Sequence, residues 1–206
     1  MKLLVATRSE GKQREVRRLL VGAPFEPVFL DDVSVVESPA EDALELHDSF
    51  EANARAKAEY FCRKTGLPTV ADDSGLELFS LGGEPGVRSK RWALATGTPA
   101  QVDAANNALL VRRLAGASDA RRRARYRCLL VLIRKPAAIS ETFDGATAGM
   151  IVPEARGTNG FGYDPYFLSD DLGRTFGEAS DIDKDAVSHR GRAFRALVAA
   201  LTARPL

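Results

Sequence analysis

The sequence predicts an α/β protein in which helices flank a mixed β-sheet. Short apolar runs typical of strands alternate along the chain with segments whose apolar residues recur at helical spacing. The chain has 206 residues, of which 45% are hydrophobic and 28% are charged, so it is long enough to bury a substantial core. No repeat, linker or low-complexity tract interrupts it. We therefore predict one domain over residues 1–206.

The N-terminal segment is predicted to contain two strands and one helix. A β-rich run over residues 2–6 is followed by a turn at 7–12 and a helix over 13–20, which Gly22 ends. A second strand is predicted over residues 27–30.

The next helix follows an acidic stretch, residues 31–48, that has no clear period and is predicted to be mostly loop. The spacing of a capping box predicts Asp48 as the N-cap and Glu51 at the third helical position, and Gly66 supplies the C-terminal stop. One face of this helix is apolar and carries Phe50, Ala54, Ala58 and Phe61.

The rest of the chain continues the alternation of strands and helices. Thr98 and Gln101 form a second capping box and open a helix that runs to Ala115. The last helix is predicted from about Ser188, because apolar residues then recur at core spacing. The predicted strands cover residues 69–72, 76–79, 125–133, 139–143 and 149–152. This β-rich middle argues against a purely parallel sheet, which is why we predict a mixed one.

Charge and cysteine content narrow the functional classes. The formal net charge is +1, so the molecule as a whole offers no field that would gather nucleic acid or anionic lipid. The basic run RRRARYR, residues 121–127, has a single aromatic residue to stack on a base. Cys62 and Cys128 are too few for a disulfide framework or a zinc site, and no apolar stretch is long enough for a bilayer. We expect a cytoplasmic protein that binds neither membrane nor nucleic acid.

The segment ATRSEGKQ, residues 6–13, lies between a predicted strand and a predicted helix and is suited to an anion. Free N–H groups at a helix N-terminus, together with a lysine, favour phosphate. The segment departs from the P-loop pattern because Ala6 replaces the first glycine and Gln13 replaces the hydroxyl residue that binds magnesium. A P-loop ATPase is therefore excluded, and an ordinary turn with a solvated Lys12 is the alternative.

Two adjacent acids, Asp72 and Asp73, follow the apolar run in PTVADDSGLEL, residues 68–78. Successive side chains on a strand face opposite ways, so the two carboxylates would have different roles. One would point into a cleft, where it could bind Mg²⁺ or take a proton from water, and the other would accept hydrogen bonds behind it. The alternative is that both acids cap a turn with Ser74.

Two further segments carry groups suited to a flat, polar ligand. The glycines of GTNGFGYDP, residues 157–165, permit close backbone approach, with Phe161 or Tyr163 available to stack and Asp164 to accept a hydrogen bond from a ring N–H. Lys184 and the SHR segment at 188–190 supply donors that could contact carbonyl groups. Each segment taken alone is also compatible with a purely structural role.

Taken in this order, the segments resemble the inosine/xanthosine triphosphate pyrophosphatases, enzymes that act on non-standard purine nucleotides. The matching pieces span residues 5 to about 195 and are ATRSEGK, SFEANARAKA, ADDSGLEL, GGEPGVRSKRW, GTNGFGYDPYF and DKDAVSHRGRA. The resemblance implies Mg²⁺-dependent hydrolysis of ITP, dITP or XTP to the monophosphate and pyrophosphate. It also implies a homodimer of two-lobed α/β subunits, with the nucleotide in the cleft between the lobes.

The same resemblance implies roles for individual residues. Asp73 corresponds to the general base and a metal ligand, Glu45 to an acidic metal ligand, Lys57 to a phosphate partner and Ser74 to a substrate contact. The triphosphate would lie against Thr7, Arg8, Ser9, Glu10, Gly11 and Lys12. The base would be recognised by Phe161, Gly162, Tyr163, Asp164, Lys184, His189 and Arg190.

Some positions depart from the usual pattern of that family. Ser9 stands where Asn is usual, and Arg88 and Lys90 stand where many relatives have Tyr and Ala. Two other functions are open: a related pyrophosphatase that acts on pyrimidine or methylated nucleotides, and a nucleotide-binding or RNA-binding protein without catalysis. Release of pyrophosphate from dITP in the presence of Mg²⁺ would separate them.

Overall fold

The computed structural model describes residues 1–206 and contains six strands and five α-helices. The strands are β1 (Lys2–Val5), β2 (Glu26–Phe29), β3 (Thr69–Leu78), β4 (Arg123–Ile133), β5 (Glu141–Ile151) and β6 (Phe167–Ser169). The helices are α1 (Glu10–Leu19), α2 (Phe50–Thr65), α3 (Pro99–Arg113), α4 (Asp181–Val187) and α5 (His189–Ala203). None of these helices combines the length and the apolar character that crossing a membrane requires.

The strands form one mixed sheet in the order β2-β1-β3-β4-β5-β6. Strand β1 pairs in parallel with β2 and with β3, whereas β5 and β6 are antiparallel. Parallel neighbours need a crossover connection, and α1 supplies it between β1 and β2. The predicted mixed sheet with flanking helices is confirmed.

The chain divides into two compact units, each assembled from segments that are distant in sequence. Unit 1 contains Met1–Asp73, Cys128–Gly145 and Arg190–Leu206, and unit 2 contains Ser74–Arg127 and Ala146–His189. Strands β3, β4 and β5 therefore each contribute residues to both units.

The core of unit 1 joins β1, α1, β4 and α5. Helix α5 contributes Phe194, Leu197 and Leu201, which are buried, and Val198 packs against them, as the helical spacing predicts. Full burial of such a side chain contributes about 1.5–3 kcal/mol. The opposing residues of the cluster include Leu3, Val5, Val16, Leu130 and Leu132.

The core of unit 2 is rich in aromatic residues. The ring of Tyr126 lies 4.7 Å from that of Phe167 and 6.0 Å from that of Phe176, measured between centroids. These rings pack with Leu76 and Leu78 of β3. The same cluster contains Tyr163, so the glycine-rich segment that follows β5 is anchored to this core by a buried ring.

The ends of α2 show one correct and one wrong prediction. The N-cap is Ser49, whose Oγ accepts a hydrogen bond from the N–H of Ala52 at 3.2 Å, so the prediction of Asp48 was wrong by one residue. At the other end Gly66 adopts φ 71°, and its predicted role as the helix stop is confirmed.

Strand β3 is continuous through Ser74 and Gly75, where the sequence predicted a break between two strands. The glycine is there because of close packing rather than a turn. A Cβ atom at Gly75 would lie 2.3 Å from the carbonyl oxygen of Gly86 and 2.3 Å from Oγ of Ser89. Strand β5 is likewise one strand where two were predicted.

Helix α1 begins at Glu10 rather than at the predicted residue 13, so Gly11 and Lys12 lie in its first turn.

Several short elements were not predicted. Helix α4 spans only seven residues, too few for a hydrophobic period to be recognised. A 3₁₀ helix at Pro39–Glu45 and the short strand β6 were also missed.

Candidate functional site

The adjacent acids Asp72 and Asp73 are both buried on β3. Because the strand continues past them, they do not cap a turn with Ser74, and that alternative is wrong. The partners of the two carboxylates are different, as the alternation of side chains along a strand predicts.

Asp72 is bound by two cations of unit 1. The Nζ atom of Lys12 lies 2.9 Å from Oδ2 of Asp72, and an amino group of Arg190 lies 3.5 Å from the same oxygen. Burial acts to raise the pKa of Asp72, but the positive charges of Lys12 and Arg190 hold this pKa well below its usual range. Asp72 is therefore ionised, and nearby cations compensate its charge.

Arg190 connects Asp72 to a second buried acid. Its guanidinium also donates to Glu15 of α1, and the side chain of Arg190 is only 2% exposed. Burial acts to lower the pKa of Arg190, but the charges of Glu15 and Asp72 raise it above its usual value. Glu15, Arg190, Asp72 and Lys12 thus alternate in charge, and loss of Arg190 would leave Glu15 without this buried counter-charge.

Asp73 differs from Asp72 in that its carboxylate accepts a hydrogen bond from a side-chain amide, that of Asn53. The Nδ2 atom of Asn53 donates to Oδ2 of Asp73 at 2.8 Å, and Oδ1 of Asn53 accepts from the N–H of His47 at 2.9 Å. These two bonds fix the amide and hence the orientation of the carboxylate. Burial raises the pKa of Asp73 above its usual value, against the opposing charges of Lys57 and Lys12. A carboxylate of this kind is suited to accept a proton.

Lys57 lies beside the Asp73 carboxylate. Its Nζ atom donates to Oε1 of Glu45 at 2.8 Å and to the carbonyl oxygen of Asp72 at 2.6 Å, and it lies 4.0 Å from Oδ1 of Asp73. Burial acts to lower the pKa of Lys57, but the charges of Glu45 and Asp73 raise it overall. The structure therefore brings together both predicted metal ligands, Glu45 and Asp73, and one predicted phosphate partner, Lys57.

Glu45 and Asp73 supply two carboxylates of the kind that could hold a magnesium ion. Mg²⁺ usually takes one or two carboxylates and completes its coordination with water and phosphate oxygens. No group of three or more His, Cys, Asp or Glu side chains in the chain is arranged to hold a metal ion. The two carboxylates that lie near Lys57 match this preference of Mg²⁺ for one or two protein carboxylates.

The predicted phosphate-binding turn forms the beginning of α1. Ser9 is the N-cap, and its N–H donates to Oγ1 of Thr7 at 3.3 Å. Gly11 and Lys12 follow in the first turn, and the N–H of Lys12 donates to Oγ of Ser9 at 3.5 Å. Glu10 is exposed. The other N–H groups of a first turn have no partner within the helix, and a helix N-terminus of this kind suits an anion.

Arg8 is held by an acid of the same unit. Its guanidinium donates to both carboxylate oxygens of Glu41, at 3.0 Å each. This hydrogen bond raises the pKa of Arg8, while burial opposes it. The phosphate contact predicted for Arg8 stays a prediction, and the observed contact is with Glu41.

Unit 2 contains a second cluster of predicted residues around Asp164. Its Oδ2 atom accepts from Nζ of Lys184 at 2.5 Å and from the N–H of Phe161 at 2.8 Å. The same Nζ atom lies 5.2 Å from the centroid of the Phe161 ring. Asp164 and Lys184 are buried, whereas Phe161 is half-buried.

Two other aromatic rings of this cluster are fixed by packing. The hydroxyl of Tyr163 donates to the carbonyl oxygen of Ser89 at 2.7 Å, and burial raises the pKa of Tyr163 above its usual value. The ring of His189 stacks on that of Tyr126, with centroids 4.7 Å apart. Of the two rings that the sequence offered for stacking on a ligand, only that of Phe161 is partly exposed.

The predicted site residues are divided between the two units. Unit 1 carries Thr7, Arg8, Ser9, Glu10, Gly11, Lys12, Glu45, Lys57, Asp73 and Arg190. Unit 2 carries Ser74, Phe161, Gly162, Tyr163, Asp164, Lys184 and His189.

Sequence reasoning missed two residues that contact the candidate site in unit 1, Glu15 and Asn53. Both are buried polar residues on helices, and Asn53 lies beside Phe50 and Ala54 on the buried face of α2. A polar side chain at a core position needs a partner, so this pattern was a usable signal.

The arginine-rich run on β4 is paired with acids of unit 2. Arg123 donates to Oδ1 of Asp170 at 2.8 Å, and Arg125 donates to Oε2 of Glu77 at 2.5 Å. Two arginines of the basic run are therefore paired with acids of the same chain.

Comparisons with known proteins agree over nearly the whole chain. A dITP/XTP pyrophosphatase of Frankia alni is 43% identical over 204 residues, which cover 98% of this chain and 97% of the relative. A dITP/XTP pyrophosphatase of Mycolicibacterium paratuberculosis is 46% identical over 203 residues, or 97% of this chain and 95% of the relative.

Solved structures show the same fold. A HAM1 protein from Coxiella burnetii superimposes with a TM-score of 0.84 at 33% identity, covering 98% of both chains. A nucleoside-triphosphatase / dITP/XTP pyrophosphatase from Mycobacterium abscessus has a TM-score of 0.72 at 40% identity, covering 100% of both chains. A sequence model of the Ham1 family matches residues 3–200. With this match and these relatives, the chain belongs to the Ham1 family.

Proposed function

We propose that this chain hydrolyses non-standard purine nucleoside triphosphates, such as ITP, dITP and XTP, to the monophosphate and pyrophosphate. The names of its relatives support this substrate class. The observation that carries the proposal is the buried carboxylate of Asp73, held by Asn53 and lying 4.0 Å from the ammonium of Lys57. A proton acceptor beside a cation can activate water and stabilise negative charge, two contributions to hydrolysis of a phosphoric anhydride.

The triphosphate is bound by positive groups of unit 1. The first-turn N–H groups of α1 offer hydrogen bonds to phosphate oxygens, and Lys12 and Lys57 supply positive charge. Lys12 also holds Asp72 at 2.9 Å, but an ammonium has three N–H donors and can contact a phosphate as well.

The chemical step is attack of water on the anhydride between the α- and β-phosphates. The new P–O bond forms from the water oxygen, the bridging P–O bond breaks, and Asp73 takes the proton of the water. Such a reaction depends mainly on positioning and charge stabilisation, because the protein forms no covalent bond to the substrate. Asn53 contributes by fixing the carboxylate of Asp73.

We include Mg²⁺ in the proposal, held by Glu45 and Asp73. When bound by these two carboxylates, Mg²⁺ would neutralise charge on the phosphate oxygens and polarise the phosphorus. Lys57, whose Nζ lies 2.8 Å from Oε1 of Glu45, keeps that carboxylate in place for its ligand role.

The base is recognised by one stacking ring and by several hydrogen-bond donors. The half-buried ring of Phe161 stacks on the purine, and Lys184, His189 and Arg190 provide donors for its 6-oxo group. Adenine presents an amino donor at that position, so each buried donor left without an acceptor costs about 1–3 kcal/mol. This difference disfavours ATP.

We also propose that the chain forms a homodimer, as its resemblance to the pyrophosphatases implies. Light scattering on the purified protein tests this directly, with a mass of twice the 22.3 kDa chain expected.

The reaction type is tested by identifying products from dITP in the presence of Mg²⁺. Phosphorus NMR should show dIMP and pyrophosphate appearing in equal amounts. Formation of dIDP and orthophosphate would contradict the proposed bond cleavage. Turnover of pyrimidine or methylated nucleotides in place of dITP would indicate the related pyrophosphatase activity, and binding without turnover a non-catalytic protein.

A further inference from the structure

Helix α3 contacts both polar atoms of one residue in the glycine-rich segment. The N–H of Gly162 donates to Oδ2 of Asp103 at 2.9 Å, and Nδ2 of Asn107 donates to the carbonyl oxygen of Gly162 at 3.0 Å. Asp103 and Asn107 are four residues apart and therefore lie on the same face of the helix, one turn from each other. The two side chains hold Gly162 on both sides.

Gly162 occupies the position where the chain turns between Phe161 and Asp164. It adopts φ +62°, a left-handed conformation that side chains rarely allow, and a Cβ atom there would meet no neighbour within 4 Å. Glycine is therefore required by backbone conformation and not by lack of space. A glycine is also the most flexible residue, so this turn needs external contacts to keep one conformation.

The neighbours of Gly162 are the groups assigned to the base. The N–H of Phe161 donates to Oδ2 of Asp164, which also binds Lys184. A change in the dihedral angles of Gly162 would therefore move the Phe161 ring relative to the Asp164–Lys184 pair. The orientation of these base-contacting groups depends on how firmly Gly162 is held.

We propose that Asp103 and Asn107 are positioning residues for base selectivity, acting through the backbone of Gly162. The inference rests on the proposed function, because it gives the segment 161–164 the task of contacting a purine. Neither side chain contacts the base in this account. Together they hold the stacking ring and the polar pair in the arrangement that distinguishes a 6-oxo purine from adenine.

Helix α3 also provides a matched control in Asn106. This buried residue makes two comparable bonds to a different segment, accepting from the N–H of Ala93 at 2.8 Å and donating to the carbonyl oxygen of Lys90 at 3.0 Å. Removing Asn106 should loosen α3 at least as much as removing Asn107, since Asn106 is more deeply buried. Any effect specific to Gly162 will be absent from that variant.

The experiment compares Asp103→Ala, Asn107→Asp, Asp103→Asn and Asn106→Ala in the full-length protein. Asn107→Asp keeps the shape but places a carboxylate against the Gly162 carbonyl, whereas Asp103→Asn keeps an acceptor. One readout is the ratio of kcat/KM for dITP to that for dATP, and the other is hydrogen exchange of the Gly162 amide by NMR.

In Asp103→Ala and Asn107→Asp we expect the ratio to fall by about tenfold, which corresponds to a hydrogen bond involving a charged group. In Asp103→Ala we also expect exchange of the Gly162 amide hydrogen to accelerate by about tenfold or more. In Asp103→Asn both the selectivity ratio and the exchange rate should lie close to their wild-type values. An unchanged ratio in both variants, or an equal fall in Asn106→Ala, would overturn the inference. Absence of dITP hydrolysis in the wild type would instead refute the proposed function, and slow Gly162 exchange that Asp103→Ala leaves unchanged would refute the contact itself.

Discussion

The ammonium of Lys12 lies 2.9 Å from Oδ2 of Asp72, so the lysine of the predicted phosphate-binding turn is in direct contact with one of the paired acids. This contact, with that of Arg190, compensates Asp72, whereas Asp73 has an amide and a more distant lysine as neighbours. Two chemically identical side chains, adjacent in sequence, therefore differ in their partners, and their pKa values shift in opposite directions.

Exchanging each acid for its amide should separate these roles. Asp73→Asn should reduce kcat by about a hundredfold or more while dITP still binds, because an amide cannot take a proton. Asp72→Asn should lower the melting temperature more than Asp73→Asn does, because Lys12 and Arg190 lose a buried counter-charge, a loss of about 3–5 kcal/mol. Steady-state kinetics and thermal unfolding of both variants check this, and wild-type kcat in Asp73→Asn would remove Asp73 from the mechanism.

Neutralising the lysines of unit 1 should weaken phosphate binding. Lys12→Ala and Lys57→Ala should each raise KM for dITP by about tenfold, because a charge-assisted contact to phosphate is lost. Added salt should weaken binding by the wild type and have less effect on the variants. Lys135, an exposed lysine, provides the control variant Lys135→Ala, which should keep wild-type KM. An unchanged KM in Lys12→Ala would show that the triphosphate is bound elsewhere.

Arg190 should affect both stability and selectivity. Arg190→Ala should lower the melting temperature, because Glu15 and Asp72 lose their shared cation, and should lower kcat/KM for ITP more than for ATP. Glu15→Gln should also lower the melting temperature, because Arg190 loses one of its two acids. If Arg190→Ala leaves the ITP to ATP ratio unchanged, Arg190 supports the acids and does not contact the base.

Removal of divalent metal should abolish turnover. Activity should be lost in EDTA and restored by Mg²⁺. Glu45→Gln should raise the Mg²⁺ concentration for half-maximal activity by roughly tenfold or more, because a carboxylate ligand is lost. Glu51, an exposed acid at the start of α2, gives the matched control Glu51→Gln, for which the Mg²⁺ dependence should stay as in the wild type. Full activity in EDTA would remove the metal from the proposal.

The sequence was most informative where a local rule sufficed. The capping box at Thr98 and the glycine stop at Gly66 are decided by neighbouring residues, and both were predicted correctly. The break predicted at Gly75 was wrong because that glycine is required by contact with Gly86 and Ser89, which belong to a separate element and are not its neighbours in sequence. Long-range packing of this kind leaves no periodic signal.

The candidate site shows the same limit. Ordered motifs identified Asp73, Lys57 and Glu45, which the structure brings together in unit 1. The motifs did not reveal that Arg190 binds Glu15, since the two residues are 175 positions apart in sequence. The tertiary structure determines which buried charged side chains form ion pairs. A single sequence does not show which acidic residue pairs with which basic residue.

The most direct test of the proposed function is a panel of nucleoside triphosphates assayed for pyrophosphate release with Mg²⁺. We expect kcat/KM for ITP, dITP and XTP to exceed that for ATP by roughly a hundredfold or more, about the effect of two unpaired buried donors. Equal values for ITP and ATP, or a preference for pyrimidine or methylated nucleotides, would contradict the account.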